Sequence, residues 1–412
     1  MNTTLQSATI ERAPSTVTAP RVVSIDIFRG LTMMVMIFVN ELSSAHGMPW
    51  WTEHAPANVD VMTYVDMVYP FFLFIVGMSM PLSVAQRLKR DPSMVALWRH
   101  ILVRVGALIT LGLILANAEK ADAARMGISG GVWALVGLVS AALSLNVYGK
   151  SERYAGLFRV LRVIGFVGVA AMFALFRRST AGGHFAWIDG SYPEILGLIG
   201  YTYLAVAILY IPTRRWKWAP MLWFALLLAF CAASTLKWVA FPGKAPLYFW
   251  PFDNGAMASI VMAGVFTSSL FVGRDRRPTP RSAMTWAAGF ALLSLVAGWL
   301  LTPLGISKIR ATPTWALYSV GAATLIFCLL YWVCDVKQWQ RWAGWLRPAG
   351  SNTLLTYLLP DLWYFLMVAL GVTYFDTHWN TSPVAVVKTL IFTFTMLGIA
   401  GALTRVKVRL QL

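Results

Sequence analysis

The chain has 412 residues, of which 58% are hydrophobic and only 12% charged, and its formal net charge is +17. A soluble domain carries about twice that share of charge, so a soluble globular fold is excluded. Lys and Arg sit in short clusters between apolar runs. That is a membrane-topology pattern and not the continuous basic face a nucleic acid needs, so no nucleic-acid partner is expected.

Residues 1–20 are polar, rich in Ser, Thr and Ala, and lack the apolar core of a signal peptide. They read as a disordered cytoplasmic tail ahead of a single transmembrane domain, residues 21–412. From Leu31 onward apolar stretches recur, each long enough to cross a hydrocarbon core of ~30 Å as a helix that satisfies its own backbone groups. The expected spans are 27–45, 60–85, 95–117, 131–147, 156–176, 193–211, 218–236, 255–272, 283–301, 314–334, 350–370 and 384–404. The fold class is therefore all-α, a polytopic membrane protein of about 12 transmembrane helices in contact with membrane lipid. With the N-terminus inside, 25 of the 34 Lys and Arg fall on one side and nine on the other, which places both termini in the cytoplasm. Cys231, Cys328 and Cys334 have neither CxxC nor metal-type spacing. They read as small packing residues, and no metal is expected.

The loops on the outer side differ in character. His46–Val59 carries Trp50, Trp51, Glu53 and His54, and Lys237–Asn254 carries Trp250 and Asp253. Aromatics beside carboxylates such as Glu53 and Asp253 can stack on and hydrogen-bond to a sugar. An ordinary interfacial aromatic belt is the competing reading.

Polar residues inside apolar spans are costly and usually face a cavity or a partner. Asn40 lies near the outer end of the first span, Asp66 about two turns into the second, and Asn352 early in the eleventh, with Asp361 after Pro360 further along. For Asn40 and Asn352 interhelical hydrogen bonding is the simpler account. Asp66 demands a compensating donor or cation. At the cytoplasmic start of the first span, Asp26 suits the helix dipole. Arg29 either anchors the helix at the headgroups or binds a phosphate.

The run Arg21-Val-Val-Ser-Ile-Asp-Ile-Phe-Arg-Gly30, then Met36-Ile-Phe-Val-Asn40, His54-Ala55 and Asp66-Met-Val-Tyr-Pro-Phe-Phe-Leu-Phe-Ile-Val-Gly-Met-Ser79 resembles the membrane region of the heparan-alpha-glucosaminide N-acetyltransferase family. Weaker matches follow at Pro193–Tyr203, Ser259–Met262 and Gly350–Tyr357. The chain is similar to a bacterial branch without the large luminal domain of the animal enzyme. The resemblance implies a multi-pass protein of the bacterial inner membrane. Its activity would carry acetyl from cytosolic acetyl-CoA, a co-substrate, to the amine of glucosamine or a glucosamine-containing sugar at the periplasmic side. It points also to a homodimer.

Residue by residue, the resemblance places the catalytic histidine on His54 and the catalytic asparagine on Asn40. Because the loop before Asp66 is two residues longer here, His46 is the alternative. Asp66 would orient His54 or hold the sugar ammonium. The coenzyme's phosphates need cations, and Arg29, Arg99 and Arg104 lie on the cytoplasmic side, Arg29 first because it sits in the matching motif, with Asp26 and Asn352 beside the coenzyme. A Gln-Arg pair of the family reads Gly197-Leu198 here, a His-Glu pair reads Pro360-Asp361, and spans 131–176 are an insertion. Direct attack in a ternary complex and a transient acetyl-histidine both remain open. So do two other functions, O-acetylation of a polysaccharide and, from helix number alone, a twelve-helix sugar transporter.

Overall fold

A computed structural model describes residues 22–149, 152–180, 183–239, 254–272, 278–372, 374 and 378–410. Its main helices are α1 (Val23–Leu42), α2 (Val65–Arg90), α3 (Met94–Asn117), α4 (Gly130–Leu145), α5 (Ala155–Leu175) and α6 (Glu194–Thr213). They continue with α7 (Ala219–Thr235), α8 (Ala256–Val272), α9 (Pro280–Leu300), α10 (Pro313–Tyr331), α11 (Thr353–Leu370) and α12 (Val384–Arg405). Each expected span coincides with one of them. Among the described residues, nine helices are long and apolar enough to cross a membrane. The other three, α4, α7 and α8, are apolar but only 16, 17 and 17 residues long. Among the described residues, strand is confined to a ribbon of two-residue strands, Arg178–Ser179 against Phe185–Ala186.

Association of helices in lipid relies on close approach and side-chain fit, since lipid tails are as apolar as leucine. The α2–α8 contact shows this best. A Cβ on Gly77 would lie 1.9 Å from the Val261 carbonyl oxygen, and one on Gly264 would lie 2.0 Å from that of Phe74. The two glycines let the backbones touch and fix α2, the helix that carries Asp66. Helix α5 packs chiefly on α4 and turns Val160, Ile164 and Val167 outward, as a lipid-facing helix does.

Several boundaries differ from the sequence reading. The first helix begins at Val23, four residues before the expected 27. The Asp335 carboxylate, from the turn after α10, accepts from the Val23 and Ser24 amides at 2.9 Å each, supplying the cap that Val22 lacks. Arg29 consequently lies two turns inside α1 and does not open it. The second helix begins at Val65 instead of 60, so Asp66 sits in its first turn and not two turns in. Residues 60–64 stay outside the helix because Asp60 is drawn to Arg310 and Ile306 of the α9–α10 loop. The eleventh span is broken at Asn352 (φ −125°, ψ 50°), which separates a short helix, Arg347–Ser351, from α11. Cys231, Cys328 and Cys334 are buried free thiols.

Candidate active site

The site begins with a proline. Pro70 has no N–H, so the carbonyl of Asp66, four residues earlier, loses its helical partner. The buried indole of Trp315 on α10 donates to that carbonyl at 3.1 Å. The first turn of α2 is thereby tied to α10, and the Asp66 side chain is aimed back over the preceding loop.

That side chain is 0% exposed. Its Oδ2 accepts from the amides of Ala55 (3.2 Å) and Thr63 (3.1 Å), with the Thr63 hydroxyl oxygen 3.4 Å away. Its Oδ1 faces His54 Nδ1 at 2.8 Å. An ionised carboxylate only accepts, so Nδ1 carries the proton and Nε2 is left as the basic nitrogen. The His54 side chain keeps 43% of its surface accessible, against 0% for Asp66. The ring is held at Nδ1 and keeps part of its surface accessible. His46, the alternative histidine, is held through its backbone. Its backbone pairs with the loop before α12, its amide donating to Asn380 at 2.7 Å and its carbonyl accepting from Ser382 at 3.2 Å.

A third group arrives from far along the chain. The α9–α10 loop turns at Gly305 (φ +85°), where a Cβ would meet Asp60 Oδ1 at 2.6 Å. It is closed by the Ser307 amide donating to the Thr312 hydroxyl at 3.1 Å. Arg310 pairs with Asp60 and fastens the loop to the segment before α2. This delivers Lys308 Nζ to 3.3 Å from both ring nitrogens of His54. Burial pushes the Lys308 amine below the usual lysine range, and the carboxylates of Asp66 and Glu194 pull it back up. Sequence reasoning missed Lys308. The available signal was two cations, Lys308 and Arg310, in one short loop on the side otherwise depleted of them.

Beside this cluster is a cavity of about 820 Å³, lined by Asn40 and Glu41 of α1, Glu194 of α6, Tyr357 and Asp361 of α11, and Lys388 of α12, among others. Asn40 is exposed to it. His54 is not part of its lining. The connection runs through Glu194, which accepts from the Tyr357 hydroxyl at 3.3 Å and lies within electrostatic reach of Lys308.

The other expected residues divide as follows. Glu53 joins the site through its backbone, its carbonyl accepting from the Thr63 hydroxyl at 2.8 Å. Asp253 lies outside the described residues. Arg29 and Asp26 pair at 3.2 Å, and the Arg29 guanidinium also donates to the Gly350 carbonyl at 3.0 Å and to Ser79 Oγ at 2.6 Å. Arg104 stacks on Tyr203, 4.6 Å from the ring centroid, and its buried Nε has no hydrogen-bond partner among the described residues. The Asn352 amide donates to Thr404 Oγ1 and the Val408 carbonyl and accepts from the Leu410 amide. Its amide is thus engaged by the end of α12 and the segment that follows.

Comparison with known proteins adds two findings. The profile of a family described as an acyltransferase domain matches residues 22–405. Over 98 residues the chain is 39% identical to heparan-alpha-glucosaminide N-acetyltransferase of Homo sapiens, and over 99 residues it is 37% identical to that of Mus musculus. Each match covers 24% of this chain and 14% of the relative, so the similarity spans a small part of those proteins.

Proposed function

Because the chain belongs to the acyltransferase-domain family, we propose that it is a membrane N-acetyltransferase. Acetyl would move from cytosolic acetyl-CoA to the amine of glucosamine, or of a glucosamine-containing sugar, at the periplasmic face of a bacterial inner membrane. The observation that carries this reading is the His54–Asp66 pair: an open imidazole whose proton is fixed on Nδ1 by a buried carboxylate. This is the arrangement a general base for amine attack requires. The partial identity to enzymes named as acetyltransferases supports the choice of donor and acceptor. The family match removes the reason for preferring a transporter.

In the proposed reaction the amine lone pair attacks the thioester carbonyl carbon. His54 Nε2 takes the ammonium proton, the C–S bond breaks, and the same proton passes to the departing thiolate to give the free thiol. Lys308 supplies positive charge as the carbonyl oxygen turns negative, a large contribution in a water-poor site. Asn40, facing the adjoining cavity, supplies an amide donor to the same oxygen. Asp66 keeps the imidazole in its working tautomer.

The coenzyme would enter at the opposite end of the bundle. Arg104, whose Nε lacks a partner among the described residues, is the first cation for its phosphates. Arg29, held by Asp26, Ser79 and Gly350, ranks second. Eleven residues of α1 separate Arg29 from Asn40, ~16 Å at the helical rise, within reach of an extended pantetheine arm. The test is acetylation of glucosamine by purified protein supplied with labelled acetyl-CoA. Product that forms with the wild type and is lost in His54→Ala supports the reading, whereas equal product from both refutes it.

A further inference from the structure

The chain is strongly basic, with a net charge of +17, yet the cavity beside His54 is acidic. Glu41, Glu119, Glu194 and Asp361 line it, against a single lining cation, Lys388. Lys388 is already engaged, 3.2 Å from Glu41 and bonded to Asn380. The acidity that remains deepest is that of Glu194 and Asp361.

Asp361 is enclosed by protein and within the field of Glu194. It lines the cavity, and among the described residues no hydrogen bond engages its carboxylate. A carboxylate placed so, beside a second one, is uncompensated. Glu194 shows a second sign of function. It holds φ at +57°, a left-handed conformation that residues with a Cβ seldom adopt and that clusters at ligand sites. In that conformation its carboxylate meets the Tyr357 hydroxyl at 3.3 Å. Trp363, Tyr364 and Trp379 complete an aromatic wall.

Resting on the acetyl-transfer reading, we propose that Glu194 and Asp361 form the ammonium subsite of the acceptor and make this protein selective for cationic sugars. A primary ammonium has three donors, enough for both carboxylates and the Tyr357 oxygen. Its charge compensates Asp361, which a neutral sugar leaves without a cation, and an anionic sugar adds repulsion. Asn40 shares the cavity, and Glu194 lies in the field of Lys308, which touches His54. The bound ammonium first gives one proton to the carboxylate pair, which leaves a lone pair to attack the thioester, and His54 takes the second proton as the amide forms.

The test is calorimetric titration of the full-length protein in detergent, without acetyl-CoA, using glucosamine, glucose and glucosamine 6-phosphate. The wild type is expected to bind glucosamine about tenfold or more tightly over glucose, and glucosamine 6-phosphate least. Asp361→Asn, which preserves shape, is expected to weaken glucosamine about tenfold and to leave glucose within about threefold. Glu194→Gln, on a different helix, gives an independent reading of the same effect should the first variant not fold. Equal binding of glucosamine and glucose by the wild type, or an undiminished preference in a folded variant, overturns the proposal. A preference for glucosamine without any acetyl transfer upholds the subsite and defeats the acetyl-transfer reading. Transfer without preference does the reverse.

Discussion

Replacing Asp66 by Asn changes one atom type at the centre of the site, and the two ways of seating the amide can be compared. If the amide oxygen stays toward the amides of Ala55 and Thr63, the NH₂ faces His54 Nδ1. The imidazole must then present a lone pair at Nδ1 and carry its proton on Nε2, the atom required as base. The charge-assisted bonds, each about 1.5–3 kcal/mol, become neutral ones of about 0.5–1.5 kcal/mol, so each weakens by about 1–1.5 kcal/mol. If the amide is flipped, its NH₂ points at two backbone N–H donors at a position that is 0% exposed. Each orphaned donor costs about 1–3 kcal/mol, so the first seating is the more stable. The expected outcome is a folded protein whose turnover is lower by about 10²–10⁴, the range of losing a correctly protonated base. Labelled acetyl transfer to glucosamine measures the rate, and thermal unfolding in detergent measures the stability. A kcat within about threefold of wild type in a folded variant would refute the assignment of the Nδ1 proton.

Three further outcomes are expected. Lys308→Met should lower kcat about 10²-fold at saturating acceptor, measured by the same transfer assay, because the hydrophobic chain keeps the packing and loses the charge. The Arg310 guanidinium holds the Asp60 carboxyl below its ordinary value of 3.8. A depressed carboxylate contributes its stabilisation above the unfolded value and loses it as pH falls through the lowered one. The protection factor of the Ile306 amide, its exchange corrected for the intrinsic pH dependence, should therefore fall only below pH 3.8 and stay constant near neutrality. Gly77→Ala should destabilise the protein by more than about 3 kcal/mol, since its Cβ would sit 1.9 Å from a backbone oxygen. The yield of monodisperse protein and its melting temperature report this directly.

The helices were legible in the sequence because lipid imposes length and apolarity on each, and both can be read locally. Their ends were less so. Val23, four residues before the expected start of α1, is capped by Asp335, 312 residues away, and no local pattern announces that. Residues 60–64 are apolar enough to extend the second span, but the Asp60–Arg310 pair draws them into a loop. The His54–Asp66 pair was legible because both residues lie in one short, family-like stretch. Lys308 and Glu194 were not, because a single lysine in a loop and a glutamate at a helix start have no periodicity. They join the site only when Gly305 turns the chain and α6 meets α11. Asn352 was ambiguous between a structural and a ligand role, and its three bonds to residues 404–410 decide for the structural one.

The account stands on an imidazole at position 54 removing the amine proton during transfer from a thioester. The most direct measurement is the single-turnover rate of labelled acetyl transfer to glucosamine, comparing wild type and His54→Ala at matched folding and matched acetyl-CoA binding. A fall of about 10² or more is the predicted result. An unchanged rate would contradict it.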